Sequence, residues 1–328
     1  MKILRNILGF FLSLLLLSFI TFSLARLAPG DPLVSYYGER AEKMSEQEKA
    51  RSRERLGLND SLMVQYGRWL EQAARGEFGL SFKYKRPALD VMSGRIMNTF
   101  LLGGLGFVLV FALSLGIGTF CALHEGSRFD RFMIRAGTIS ACIPEFWLCL
   151  LLILVFSVTL RWLPSGTAYS TGHEYDGMDR LVHLILPVLV LVISHVWYYA
   201  GIVRNEMIAE LKKDYIVLCR ANGFSTGQIV RKHALMNILP TYLSLMAVAL
   251  PHITGGTYVV EMVFSYPGLG MLAYESARYH DYNLLMLTVL FSGALIMAAN
   301  LGVNALAGRL DPKLDAEKVI RQSEGEWF

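Results

Sequence analysis

The 328-residue sequence contains no Gly-Lys pair, and therefore no Gly-x-x-x-x-Gly-Lys-[Ser/Thr] segment. A phosphate-cradling loop of that type needs the lysine to reach the terminal phosphates. Any ATP-driven role thus places the nucleotide on another protein. His-Glu-x-x-His is absent too, and no pair of acids converges, which disfavours an intramembrane enzyme. A net charge of only +4 gives no compositional support for a nucleic-acid partner. Cysteine is scarce: Cys121, Cys142, Cys149 and Cys219 lie in or beside apolar stretches, as small buried hydrophobes do, and not in the long polar loop. The spacing of Cys142 and Cys149 puts them on one face of a single expected helix, but a metal site needs further ligands, and none is expected. Internal repeats, common in self-contained secondary transporters, are not evident either.

What the chain has in excess is long apolar runs. Hydrophobic residues make up 54% of it and its mean hydropathy is +0.41. About 20 consecutive apolar residues cross a bilayer. The first run, Ile7–Leu24, follows Lys2 and Arg5 and is too long for a signal-peptide core, so we expect a retained helix. Five more spans are expected at Ile96–Leu123, Phe132–Leu160, Val182–Val203, Thr241–Phe264 and Leu284–Ala307. Six spans put both termini on one side. Lys/Arg bias in the second and fourth connections and the tail (Arg128, Arg131, Arg135; Arg204, Lys212, Lys213, Arg220, Arg231, Lys232; Arg309, Lys313, Lys318, Arg321) makes that side cytoplasmic. The organisation expected is residues 1–27, a cytoplasmic N-terminus and first span; 28–95, an extracytoplasmic loop; 96–307, a five-helix core with a cytoplasmic loop at 204–240; and 308–328, a cytoplasmic tail. The first loop reads as a small helical cap. One helix opens with the capping box Ser45–Glu48 and closes at Gly57, and another is capped by Ser61 and ended by Gly76, with Met63, Tyr66 and Leu70 on one face.

Between the fourth and fifth spans runs "DYIVLCRANGFSTGQIVRKHALMNILP", Asp214–Pro240, basic and punctuated by glycine. Lys212–Asn222 reads as a short helix that Gly223 can end in the left-handed conformation. Ser225 and Gln228 form a second capping box, Phe224 can staple onto Ile229, and Pro240 marks the start of the fifth span. Helix, sharp turn, helix suits a docking knob; the same chemistry also suits a well-capped connecting loop.

The stretch resembles the cytoplasmic coupling loop of ABC importer permeases of the dipeptide/oligopeptide/nickel family. The matching positions are Asp214-Tyr215, Arg220-Ala221-Asn222-Gly223, Lys232-His233, Asn237 and Pro240. "APGDP" (28–32), "RLGLNDSLMVQYGRWL" (55–70), "EFGLSF" (77–82), "IPEFWLCLLLILVFSVTLRWLP" (143–164), "EMVFSYPGLGML" (261–272), "HDY" (280–282) and "LDPKL" (310–314) resemble the same family, in order, over most of the chain. There are departures. Val217-Leu218-Cys219 stands where the wider superfamily has Glu-Ala-Ala, Asn283 where relatives often have proline, and Glu145 where a small or polar residue is usual.

The resemblance implies an all-α integral membrane protein of the bacterial inner membrane, with six transmembrane helices of the type I importer permease kind. It implies half of a translocation pathway for short peptides or nickel/metallophore complexes, the nickel reading being the alternative within the family. Implied partners are a second homologous permease, two ATP-binding subunits that bind ATP-Mg, and an extracytoplasmic substrate-binding protein; this chain itself binds no cofactor and is no enzyme. A stand-alone channel or secondary transporter is the competing class. Coupling to the ATPase would fall to Asp214, Tyr215, Arg220, Ala221, Gly223, Phe224, Ser225, Gln228, His233, Asn237 and Pro240.

Glu145, inside the third span, costs about 2.5–3.5 kcal/mol on insertion scales, so it faces the bundle interior or a wet path. It is a candidate pathway residue that also reads as a hydrogen-bonded structural acid or one close to the interface; His195 and His252 are candidates too, each of which also reads as a packing histidine. Glu261 with Pro267, Gly268 and Gly270 reads as a structural outer re-entrant turn.

Overall fold

The computed structural model describes residues 2–27, 33–81 and 83–310, without the side chains at 2–6, 34–35, 39, 251–252, 254–255 and 303–310. The APGDP stretch at 28–32, Phe82, most of the LDPKL stretch and the tail beyond residue 310 lie outside it, as does the His252 side chain. The chain divides into two units, 1–101 with 265–297 and 102–264 with 298–328.

The first unit begins with α1 (Lys2–Leu27), followed by the short α2 (Val34–Tyr37), α3 (Glu46–Arg55) and α4 (Leu62–Ala74). Ser45 and Glu48 close the expected capping box on α3, and Gly57 and Gly76 take φ of +66° and +80° at the two helix ends. Ser61 makes no side-chain cap on α4. Of the three residues on the expected face of α4, only one is anchored to α1 by a side-chain hydrogen bond among the described residues. Met63 and Leu70 are exposed, whereas Tyr66 is the anchor. Its hydroxyl lies 2.7 Å from Ser18 Oγ of α1, and its ring meets those of Phe19, Phe22 and Trp69. An amphiphilic ring with a hydroxyl at its tip suits a helix that lies against a span.

A two-stranded antiparallel hairpin follows, β1 (Leu80–Ser81) and β2 (Arg86–Pro87). It leads into α5 (Ala88–Leu123), whose first residues belong to this unit. With α12 (Leu269–Arg278) and the start of α13 (Tyr282–Leu310) they bury Ala88, Met92, Leu272, Leu284 and Leu287. The hairpin is tied down by polar bonds. Ser81 Oγ donates to Asp281, and Glu275 accepts from Lys83 Nζ at 2.8 Å and Tyr84 Oη at 2.5 Å. Asn283 donates to Leu80 O at 3.1 Å, which gives this departure from the family's proline a role. Burial raises the Glu275 pKa, and the Lys83 and Tyr84 bonds outweigh that and lower it.

The second unit holds the rest of α5, then α6 (Arg128–Cys142), α7 (Glu145–Leu152, extended as a π-helix to Thr159), α8 (Gly177–Leu211), α9 (Asp214–Ala221), α10 (Thr226–Ile229) and α11 (Leu235–Val263). Phe111, Tyr199, Met207, Val230, Tyr242 and Ile253 belong to a core cluster in it. Close approach of α5 to α8 requires glycine: a Cβ on Gly118 would stand 2.6 Å from Ala200 O and 2.7 Å from Val203 Cβ. Buried Asp130 of α6 takes a two-pronged hydrogen bond from Arg204 of α8, whose Nη2 lies 2.8 Å from Oδ2. That fork–fork geometry fixes orientation as well as distance.

Among the described residues five helices are long and apolar enough to cross a membrane, and α6 and α7, counted as one broken span, bring the number to six. The expected third span is therefore corrected: its two helices bend by 103° at Ile143–Pro144. Proline disfavours helical ψ in the residue before it, and Ile143 is extended (φ −92°, ψ 118°). The break also separates Cys142, exposed at the end of α6, from Cys149, buried in α7, so they share no helix face. The expected start of the fifth span at Pro240 is corrected as well. Helix runs from Thr226 through a π-turn at Val230–Ala234 into α11, with Pro240 inside it.

Candidate functional site

Between α8 and α11 the insert folds as helix, sharp turn, helix. Gly223 takes φ +79°, and the chain turns sharply there from α9 to α10. Ser225 Oγ accepts from Gln228 N while Gln228 Oε1 accepts from Ser225 N at 2.9 Å, so the second box closes. Phe224 stands edge-on to the His233 ring, centroids 5.7 Å apart; among the described residues His233 Nε2 is buried with no hydrogen-bond partner. Asp214 opens α9 and Arg220 sits in its last turn, each favourable to the helix dipole. Ala221, Arg220 and Gln228 are exposed, and Pro240 is buried.

A residue that sequence reasoning missed holds the knob in place. Glu210, buried in the last turn of α8, accepts from Tyr215 Oη at 2.6 Å, Asn237 Nδ2 at 2.8 Å and Lys213 Nζ at 2.5 Å. Asn237 Nδ2 also lies 3.0 Å from Tyr215 Oη. One carboxylate thus ties α8, the start of α9 and the start of α11. Tyr215 and Asn237, singled out by resemblance, are two of its three donors. Burial first, and then the bond to Glu210, pushes the Tyr215 hydroxyl up to about 12. Around this braced base the surface is apolar where polarity would be expected: Val217, Leu218 and Phe224 are 64%, 63% and 38% exposed.

The stretch Gly223–Gly227 matches the Gly-x-Ser-x-Gly spacing of a nucleophile elbow. No strand precedes it, and Ser225 Oγ is committed to the helix cap. It is a turn, not a nucleophile.

The pathway candidates fall in two places. Glu145 opens α7 just after the break, and its Oε1 lies 3.6 Å from His195 Nε2 of α8. His195 stacks parallel to Tyr199. Glu261 is fully buried in the last turn of α11. In the first unit, Pro267 O accepts from Asn98 at 2.9 Å and Leu269 N donates to Thr99 at 2.7 Å, anchoring the turn before α12, in whose first turn Gly270 lies. Gly268 is extended (φ −106°, ψ −170°), so conformation does not demand glycine there.

A sequence profile described as "Binding-protein-dependent transport system inner membrane component" matches residues 114–316, and the corresponding N-terminal profile matches residues 1–103. The chain belongs to this family. It is a multi-pass inner-membrane permease subunit of the ABC importer class. It is 34% identical over 313 residues to the oligopeptide transport system permease protein OppB of Salmonella typhimurium, covering 95% of this chain and 98% of that protein. Its identity to the oligopeptide transport system permease protein AppB of Bacillus subtilis is 33% over 303 residues, covering 92% and 95%. Among solved structures, an inward-facing form of the MetNI methionine ABC transporter aligns with a TM-score of 0.55 at 18% identity, over 67% of this chain and 96% of that one. That likeness concerns the fold alone.

Proposed function

We propose that this permease forms one half of the translocation pathway of an ATP-driven importer of short peptides, a second, similar permease forming the other half. In this reading two partner ATPase subunits bind ATP-Mg, and an extracytoplasmic binding protein delivers the peptide. Both termini and the 204–240 segment face the cytoplasm. The observation that carries the coupling role is the knob: three apolar side chains exposed on a polar insert whose base is locked by a buried carboxylate. A connecting loop gains nothing from that combination. A lever seated in another protein's groove requires both parts, an apolar surface to bind and a stiff root to transmit displacement. The root leads directly into α8 and α11, so motion of the knob reaches two spans without a flexible joint. Val217 and Leu218, at the family's departure from Glu-Ala-Ala, make the contact apolar rather than ionic.

The peptide substrate is supported by relatives named as oligopeptide permeases at 33% and 34% identity. The nickel alternative is not favoured; among the described residues no three His, Cys, Asp or Glu side chains gather as a metal would need.

The test is Gly223→Asp in the reconstituted transporter. A Cβ at 223 meets nothing within 4 Å in this chain, and aspartate tolerates the left-handed region better than most residues. At φ +79° any side chain strains the turn whatever the space around it, so Gly223→Asn, which carries similar strain without the charge, is the comparison that isolates the docking surface. Membrane insertion should be unchanged, while peptide-stimulated ATP hydrolysis and tri-alanine uptake fall by about tenfold or more, as an unpaired charge in an interface implies. Unchanged hydrolysis and uptake would refute the docking role.

A further inference from the structure

His195 Nδ1 lies 3.0 Å from the carbonyl oxygen of Leu191. A carbonyl only accepts, so Nδ1 carries the hydrogen, and in a neutral ring Nε2 is then an acceptor. That acceptor faces another: Glu145 Oε1 is 3.6 Å away, beyond hydrogen-bond range. The two atoms are too far apart to bond and close enough for one nitrogen to reach both. An arrangement of this kind calls for a donor between them.

Both acceptors are held from behind. A Cβ on Gly256 would stand 2.8 and 2.9 Å from the Glu145 carboxylate oxygens, so the α11 backbone closes over the carboxylate only because residue 256 is glycine. The Tyr199 ring lies 6.5 Å from that of His195, inclined by 8°. His195 also borders a cavity of about 310 Å³ whose other walls include Ser194, Tyr198, Leu245 and Val248. That volume lies in the roughly 300–1,000 Å³ range of ligand pockets, which are mostly apolar with a few placed polar groups.

We propose that Glu145 and His195 form a subsite for a protonated primary amine, the N-terminal ammonium of a peptide whose apolar portion lies in the adjoining cavity. This rests on the peptide-importer reading above. An ammonium supplies several N–H donors from one atom, enough for Oε1 and Nε2 together, and its charge offsets that of a carboxylate set in an apolar run. A metal ion is the poorer fit, because among the described residues no third His, Cys, Asp or Glu gathers with the pair.

The experiment uses the complete transporter in proteoliposomes, with the binding protein saturated by either tri-alanine or propionyl-Ala-Ala, which has hydrogen in place of the ammonium. Saturation removes the binding protein's own preference from the rate. In Glu145→Gln, tri-alanine uptake should fall about tenfold, the loss of one charge-assisted hydrogen bond, with propionyl-Ala-Ala uptake within about twofold of wild type. Gly256→Ala keeps the charge but displaces the carboxylate, and should show the same selective loss. Equal loss on both peptides in the two variants, or no loss on either, would overturn the subsite while leaving the importer reading intact. A wild-type complex that moves neither peptide would overturn the importer reading, and the subsite with it.

Discussion

The bond from Tyr215 to Glu210 offers the sharpest test of whether the knob is a stiff lever. Tyr215→Phe keeps the ring and removes one donor from a buried carboxylate that has two others, Asn237 and Lys213. The carboxylate is therefore weakened but not orphaned. A hydrogen bond to a charged group contributes about 1.5–3 kcal/mol net. Tyr215 is half-buried, so water partly replaces the bond and the lower figure applies. About 1.5 kcal/mol is roughly a tenfold change in a local opening equilibrium. Hydrogen exchange by mass spectrometry, on the assembled transporter in lipid nanodiscs, reads that equilibrium directly. Amides of α9 should exchange about tenfold faster in the variant, with those of α13 unchanged. The effect should also be flat with pH. The hydroxyl's pKa is raised from 10.0 to about 12, so its contribution is complete below the ordinary tyrosine value and lost only as pH rises through the raised one. Between roughly pH 6 and 9 the gap between the proteins should stay constant. Unaltered α9 exchange would refute the bracing, and unaltered uptake alongside faster exchange would refute stiffness as the requirement for coupling.

Two further outcomes follow from packing and charge. Gly118→Ala forces a Cβ against Ala200 O and Val203 Cβ and should destabilise the purified protein by about 1–3 kcal/mol in detergent melts; Gly104→Ala, where nothing lies within 4 Å, should not lower the midpoint. Glu275→Gln should loosen the 80–87 hairpin at neutral pH, read as faster amide exchange after correction for intrinsic rates. Because the Glu275 pKa is lowered from 4.5, its stabilisation is present above that value and lost as pH falls through the lowered one, so wild type and variant should converge in acid. Lys83 is held down by burial and raised, on balance, above 10.5 by the Glu275 bond, so its share is present below 10.5 and lost only in strong alkali. Hairpin exchange that stays different in acid would refute the ionic account.

Sequence alone located the spans and the knob's turn because both depend on neighbours in the chain. Hydropathy over twenty residues reports the solvent a helix meets, and Gly223, Ser225 and Gln228 act within five residues of one another. Glu210 escaped because its donors are three, five and 27 residues away, the last two in other helices. Ser61 makes no cap, and although periodicity puts Met63, Tyr66 and Leu70 on one face of α4, it cannot name the partner in α1 to which Tyr66 bonds while the other two stay exposed. Proline gave the least consistent signal. Pro187 and Pro240 sit inside continuous helices, whereas the chain breaks at Pro144. What separates them in sequence is the following residue. Leu239-Pro240-Thr241 and Leu186-Pro187-Val188 offer no reason to start a helix, whereas Pro144-Glu145 is an N-terminal signature, an acid in the first turn after proline. Taken as an intruder in a continuous span, Glu145 is a desolvated charge without explanation. Taken as the first residue of a new helix, it is favourable to the dipole, and it marks the bend that aims its carboxylate at His195.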